Sequence, residues 1–269
     1  MCSSDLKAVV VLDRPNPIGG VQVQGTTLDP AYRSFVGQYP MPTRHGLTIA
    51  EAARWMNERH RLNAGLVCAL EVVAMPRWDR RAHWDDLGLV FVMPSPNIPV
   101  PESTLTFPGF VYFEGTTVSE GRGTTRPLEQ CGAPYLRPDE LIAHLDQQSP
   151  GWHEGAYVRA TGFLPTFQKH AGQVCLGVFV HPFDREAFNP VRTGLSLMRG
   201  IADRHAGEFG WKQPPYEYEL VKLPIDVIAG GPFVREWAEG GRPWGELLEN
   251  ERADVAAFAR DREEFLLYR

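Results

Sequence analysis

Lys7-Ala-Val-Val-Val-Leu-Asp13 is an unbroken apolar run that ends in a polar turn. Runs of this kind belong to parallel strands covered on both faces, since alternation appears only where one face meets water. The run therefore sets the fold class: the chain opens on an α/β unit with a parallel sheet. A strand buried on both faces needs flanking strands and helices, and only six residues precede this one. The expectation is that the chain starts inside a larger sheet and that residues 1–6 are a non-native leader. The alternative is that later elements cover the strand.

Outward from this strand, Asp13-Arg-Pro-Asn-Pro-Ile-Gly-Gly20 is a turn in which two prolines fix the backbone. It holds Asp13, Arg14 and Asn16 at the C-terminal end of a strand, where open α/β sheets bind ligands. A tight turn with a local Asp–Arg pair is the competing reading. Thr48-Ile-Ala-Glu51 is a capping box. It predicts a helix over 49–59 with Ile49, Ala52, Ala53 and Met56 on one face, and 66–73 then reads as a strand. Arg44 and His45 sit just before that helix, at an anion-friendly position. A structural role for His45 is the alternative.

The body of the chain mixes elements. Apolar runs predict strands at 87–93, 110–113, 156–164 and 174–180, and helical patterns cover 139–147, 191–205, 232–238 and 252–267. Trp78-Asp-Arg-Arg81 and His83-Trp84 read as cover for the core. Ser95-Pro-Asn-Ile-Pro99 is a proline-locked turn. The predicted architecture is the end of a parallel α/β sheet over 7–75, followed by an irregular α+β domain over 76–269.

Composition excludes several classes. Of 269 residues, 43% are hydrophobic and 22% charged, which is ordinary for a globular chain. The net charge of −6 argues against nucleic acid as a partner, because phosphate binding needs a basic surface. The four cysteines form no C-x-x-C pair, and no H-E-x-x-H, G-x-S-x-G or phosphate-binding glycine motif is present. No metal and no cofactor are expected. The longest apolar run, 64–75, is short and carries Glu71, so no membrane span is expected.

The chemistry concentrates in Glu114-Gly-Thr-Thr-Val-Ser-Glu-Gly-Arg-Gly-Thr-Thr-Arg-Pro-Leu-Glu129. Three carboxylates, two arginines, three glycines and five hydroxyls suit a polar, many-hydroxyl ligand such as a sugar. Glycoside hydrolysis normally uses two carboxyl groups. Glu120 and Glu114 are the candidates for catalysis, with Glu129 a third carboxyl. Arg122 beside Glu120 would keep it ionised, which suits substrate binding or charge stabilisation better than proton donation. An ion pair with Arg122 or Arg126 that merely orders the loop is the alternative. Thr124 offers a hydroxyl. Arg14, Arg44, Arg122 and Arg126 are the candidates to fork a ligand carboxylate.

Several strings, in this order, resemble one family. They are Val11 to Gly20, Pro42-Thr-Arg-His-Gly-Leu-Thr48, Ser95 to Pro99, Tyr112-Phe-Glu-Gly-Thr116 and Ser119-Glu-Gly-Arg-Gly-Thr-Thr-Arg-Pro127. Gly132-Ala-Pro134, Phe163-Leu-Pro-Thr-Phe167 with Lys169, and Phe265-Leu-Leu-Tyr268 complete the set. The chain resembles the exo-β-N-acetylmuramidases, bacterial peptidoglycan hydrolases. The resemblance implies a Rossmann-like N-terminal domain packed on a C-terminal α+β domain, with the site in the cleft between them. It implies removal of terminal N-acetylmuramic acid from the non-reducing end, muramyl saccharides as partners, and an extracellular or periplasmic location. It adds Ser95, Asn97 and Lys169 to the expected substrate-binding residues. The family's Pro-Glu-His-Gly motif is not present in this sequence, so a binding module that holds peptidoglycan without cleaving it is the alternative function.

Overall fold

β1 (Val9–Leu12) and β2 (Leu70–Val73) pair in parallel, Val9 opposite Leu70 and Leu12 opposite Val73. The structure is a computed structural model describing residues 8–65 and 67–269. The expected leader 1–6, Lys7 and Leu66 lie outside the described residues. The opening run is thus a parallel strand, as its composition predicts, but it is not covered on both faces. Val10 is 53% and Leu12 65% exposed. Among the described residues the sheet holds these two four-residue strands, with α1 packed against them.

The crossover between the two strands is α1 (Ile49–Ala64), and its capping box is formed as the sequence predicts. Glu51 N donates to Thr48 Oγ1 at 3.3 Å, and Thr48 N donates to Glu51 Oε2 at 2.9 Å. Gly65 at φ 68° ends the helix. That apolar face is not the one buried: Ile49 is 59% exposed and Met56 is exposed, while Ala50, Glu51 and Trp55 are buried. The helix is oriented by a buried charge: Glu51 pairs with Arg80. It is oriented also by Trp55, which packs edge-on to Phe258, with ring centroids 5.5 Å apart, and donates to Asp261 Oδ2 at 2.7 Å. An apolar-periodicity reading cannot anticipate a carboxylate on the inner face.

The second unit is an antiparallel sheet ordered β3–β5–β4, built from β3 (Gln130–Ala133), β4 (Ala156–Phe163) and β5 (Cys175–Pro182). α2 (Pro101–Phe110), α3 (Pro138–Gln148) and α4 (Pro190–Arg204) join it in the main core, with Phe110, Phe113, Val178, Val180, Leu195, Met198 and Ile201 buried together. α2 and α4 cross at backbone distance. A Cβ on Gly109 would fall 1.8 Å from Pro190 O, and one on Gly194 2.2 Å from Gly109 O. α5 (Pro224–Ala229), α6 (Phe233–Ala238) and α7 (Glu246–Arg262) finish the chain. α7 returns to α1, so Phe258 and Phe265 form a second core cluster with Leu47 and Trp55.

Two expected strands are corrected. Residues 110–113 are the end of α2 and a 3-10 turn over Val111–Gly115. Their apolar run reflects burial on all sides, which a helix in a core shares with a strand. Residues 87–93 leave a 3-10 turn (Trp84–Leu87) without entering a sheet, and Val90 is 85% exposed. α2 and α5 were not anticipated. Each opens on a proline at its first turn, a start signal that a short apolar run obscures. Among the described residues, no helix is long and apolar enough to cross a membrane.

Candidate active site

The glycine-rich loop 114–129 lies along the β3 edge. Ser119 and Gly132 exchange two main-chain bonds at 2.9 Å. Gly121 and Gly123 take positive φ, 77° and 83°. A Cβ on Gly123 would meet the main chain of Thr166 and Phe167 at 2.8 Å, so only glycine allows the 163–169 segment to clasp the loop.

The loop's charges are paired with one another. Glu120 is 2% exposed. Its Oε2 accepts from Lys169 Nζ at 2.8 Å, and its Oε1 lies 3.1 Å from Arg122 Nε. Lys169 Nζ also donates to Phe113 O at 2.6 Å and Val118 O at 2.9 Å, which uses all three of its protons. The other arm of Arg122 pairs with Glu114, whose Oε2 accepts from Tyr216 at 3.0 Å. Burial and the neighbouring Glu114 hold the Tyr216 hydroxyl protonated far above its ordinary range. Burial pulls the Lys169 ammonium down and Glu120 partly restores it. Two carboxylates and two cations thus form a balanced strut. Thr124 is internal as well: its hydroxyl donates to Gly121 O at 2.6 Å and accepts from Gln130 Nε2 at 2.9 Å. For Glu120, Glu114, Arg122, Lys169 and Thr124 the geometry is that of a braced loop.

Arg126 and Glu129 stand differently. Glu129 is buried, with Ser103 Oγ donating to Oε1 at 2.7 Å and Arg126 Nη2 2.8 Å from Oε2. Burial raises its proton affinity, and Ser103 and Arg126 offset part of the rise. Arg126 reaches the open face of the antiparallel sheet, 6.0 Å from the Phe179 ring. Arg159 lies over the same ring at 5.0 Å, and Phe179 stacks on His181 at 4.4 Å. Burial and the two arginines lower the His181 pKa, which favours the neutral ring at pH 7. This face presents the guanidinium of Arg159 to solvent, with the Phe179 ring buried beneath it.

The N-terminal candidates separate into braces and wall residues. Asp13 caps α1: Ala50 N donates to Oδ1 at 3.0 Å, and Thr48 Oγ1 and Tyr268 donate to Oδ2 at 2.8 and 2.6 Å. Asn16 Nδ2 donates to Leu47 O at 3.0 Å. Asp13 and Asn16 are therefore tied into the fold, and the local Asp13–Arg14 side-chain pair is not formed. Arg14 is exposed, with no ion pair among the described residues. His45 accepts from Leu47 N at 3.0 Å, and burial and Arg262 push its pKa down to about 4. Ser95 turns the chain into α2, its carbonyl accepting from Ile98 N at 2.9 Å and its hydroxyl from Asn97 N at 3.4 Å.

Arg44 is 2% exposed and lines a cavity of about 270 Å³ together with Gly19, Gln22, Arg81, His83 and Arg185. A narrow crevice sharing His83 and Arg185 continues past Glu102 and Thr104. Of the expected site residues, this cavity takes Arg44 alone, and the loop 114–129 does not line it. Arg81 and His83, which read from sequence as core cover, line this cavity, and charge among aromatics is their signal. Arg185 gave no local signal.

The family model for exo-beta-N-acetylmuramidase NamZ, C-terminal, matches residues 105–268, and the N-terminal model matches residues 1–102. The chain belongs to the NamZ family. It is 39% identical over 260 residues to the peptidoglycan beta-N-acetylmuramidase NamZ of Bacillus subtilis (strain 168), covering 96% of this chain and 59% of that protein. The fold is shared with two DUF1343 family crystal structures from Bacteroides fragilis NCTC 9343. One has a TM-score of 0.83 at 27% identity, over 97% of this chain and 66% of the other. The second has 0.72 at 24%, over 98% and 67%. This NamZ-family chain therefore spans about 59% of the length of the curated relative it matches.

Proposed function

We propose that the protein is a glycosidase that releases terminal N-acetylmuramic acid from the non-reducing end of peptidoglycan fragments. The observation that carries this reading is the match to both NamZ family models, supported by 39% identity to a peptidoglycan β-N-acetylmuramidase. The geometry is in keeping with it. A guanidinium-rich cavity and crevice suit an acidic sugar. Burial raises the proton affinity of Glu129, the property a general acid needs. Glu114 and Glu120 serve the loop. The substrate lies outside the cytoplasmic membrane, and the proposed location is extracellular or periplasmic.

A second reading is favoured by one observation: the carboxylates of Glu114 and Glu120 are both engaged in ion pairs. On that reading the chain holds peptidoglycan without cleaving it. Incubation with a muramyl-terminated disaccharide, followed by mass spectrometry, separates the two. Free N-acetylmuramic acid is the expected product. Saturable binding with no release supports the binding module, and neither binding nor release defeats both.

A further inference from the structure

The surroundings of Arg44 hold more buried positive charge than negative. Arg44, Arg80 and Arg262 are all buried, and among the described residues Glu51 is the one carboxylate that pairs with any of them. Their other bonds go mostly to carbonyls. Arg80 Nη1 donates to Gly46 O at 2.7 Å and Gly20 O at 3.0 Å. Arg262 donates to His45 O at 2.7 Å and Val21 O at 2.9 Å, and Arg44 to Ile18 O at 2.8 Å and Gln24 Oε1 at 3.0 Å. Carbonyl dipoles solvate a cation without neutralising it. The Nε–H of Arg44 and that of Arg262 are buried with no acceptor among the described residues. Burial lowers both guanidinium pKa values to about 10. Buried charge without a counter-charge is costly, so a bound anion would relieve the fold.

The cavity opens onto this excess. Buried Arg44 lines it, and Arg81, also lining it, is exposed with no ion pair among the described residues. Arg185 pairs with Asp85 and lies 3.8 Å from Asp86, and the exposed Glu186 is the one carboxylate in the wall. The carboxylates of Asp85 and Asp86 also face His83, but burial, Arg185 and Arg44 outweigh them and hold its imidazole neutral at pH 7. Gly19, at φ 74°, brings the wall in: a Cβ there would lie 3.5 Å from His83 Nε2. Gln22 Oε1 is buried in the same wall and receives no donor among the described residues. An unsatisfied guanidinium N–H and an unsatisfied amide oxygen on two residues of one cavity call for a ligand that brings both an anion and a hydroxyl. At about 270 Å³ the space is just below the usual range for whole ligands, so it takes an arm of one, with the crevice past Glu102 and Thr104 left for the rest.

We propose that this cavity holds the acidic arm of a sugar acid, with its carboxylate against Arg44 and Arg81 and a hydroxyl donating to Gln22 Oε1. The identity of that arm as the lactyl group of muramic acid rests on the functional reading above. It would then be the point at which muramyl and glucosaminyl residues are told apart, since only the former carries the carboxylate.

Calorimetric titration of the whole chain with N-acetylmuramic acid, N-acetylglucosamine and D-lactate tests this in the wild type, Arg81→Ala and Arg185→Ala. Both substituted side chains line the cavity, and thermal melting checks that each variant folds. The expected result is a wild-type preference for N-acetylmuramic acid of about tenfold or more, the range of one charged hydrogen bond. Arg81→Ala should remove most of that preference and leave N-acetylglucosamine affinity unchanged. A wild-type preference that survives in both folded variants overturns the cavity, while released N-acetylmuramic acid would still uphold the function. Lactate binding that Arg81→Ala abolishes, without any muramyl saccharide bound or cleaved, upholds the carboxylate site and defeats the functional reading. No binding of lactate or N-acetylmuramic acid overturns the proposal.

Discussion

Glu120 marks the difference between a residue's chemistry and its placement. Its neighbours in sequence identify a polar, arginine-flanked carboxylate, and the structure closes that carboxylate between Lys169 and Arg122. The lysine lies 49 residues away, and no local pattern announces the pairing. Lys169→Met leaves a buried carboxylate facing Arg122 alone, and breaking a buried pair of this kind costs about 3 kcal/mol. Urea denaturation should register that loss, together with faster hydrogen exchange across 114–129. Unchanged stability would mean that the strut does not hold the loop. His45 carries a pH prediction. Its folded pKa of about 4 lies below the ordinary 6.5, so the neutral form is favoured by folding. The contribution is full above pH 6.5 and is lost as pH falls through 4, on the order of 2 kcal/mol for this partly exposed ring. His45→Asn should flatten the stability curve between pH 6.5 and 4, and an unaltered slope would assign acid sensitivity elsewhere.

At the scale of elements, capping signals were more legible than apolar runs. Thr48 and Glu51 fix the start of α1 through local bonds that the sequence states outright. Thr48→Ala should cost about 1 kcal/mol by thermal melting. The runs at 87–93 and 110–113 failed as strands for opposite reasons. Residues 110–113 are buried on all sides in a helical turn, and 87–93 run exposed outside any sheet. Burial depends on what arrives from elsewhere in the chain, and a short run does not encode it. The α2–α4 crossing shows the same dependence. Its glycines, Gly109 and Gly194, sit unremarked in the sequence yet set the distance between two helices. Gly109→Ala places a methyl group on the Pro190 carbonyl and should cost about 3 kcal/mol in urea denaturation. A loss below 1 kcal/mol would mean that the crossing can relax.

Across the whole molecule, the chain ends complete the N-terminal unit. Tyr268 donates to Asp13 and accepts from Met75 N at 2.8 Å, Leu267 N donates to Glu51 at 2.8 Å, and Arg262 binds the 20–21 and 45 carbonyls. The order of motifs along the chain was readable, but this clasp was not, because its partners are separated by about 190 residues or more. The clasp also adds Arg262 to the buried cations beside the cavity, so the element that stabilises α1 makes the site electropositive. Removing 262–269, Arg262 included, should raise hydrogen exchange in α1 and weaken D-lactate binding together. Loss of one without the other would separate folding from charge. The most direct measurement is a crystal structure of the protein with N-acetylmuramic acid. The account predicts the lactyl carboxylate within hydrogen-bond distance of Arg44 or Arg81, in the cavity beside Gly19 and His83. A sugar bound with its carboxylate on Arg126 or in solvent would contradict it.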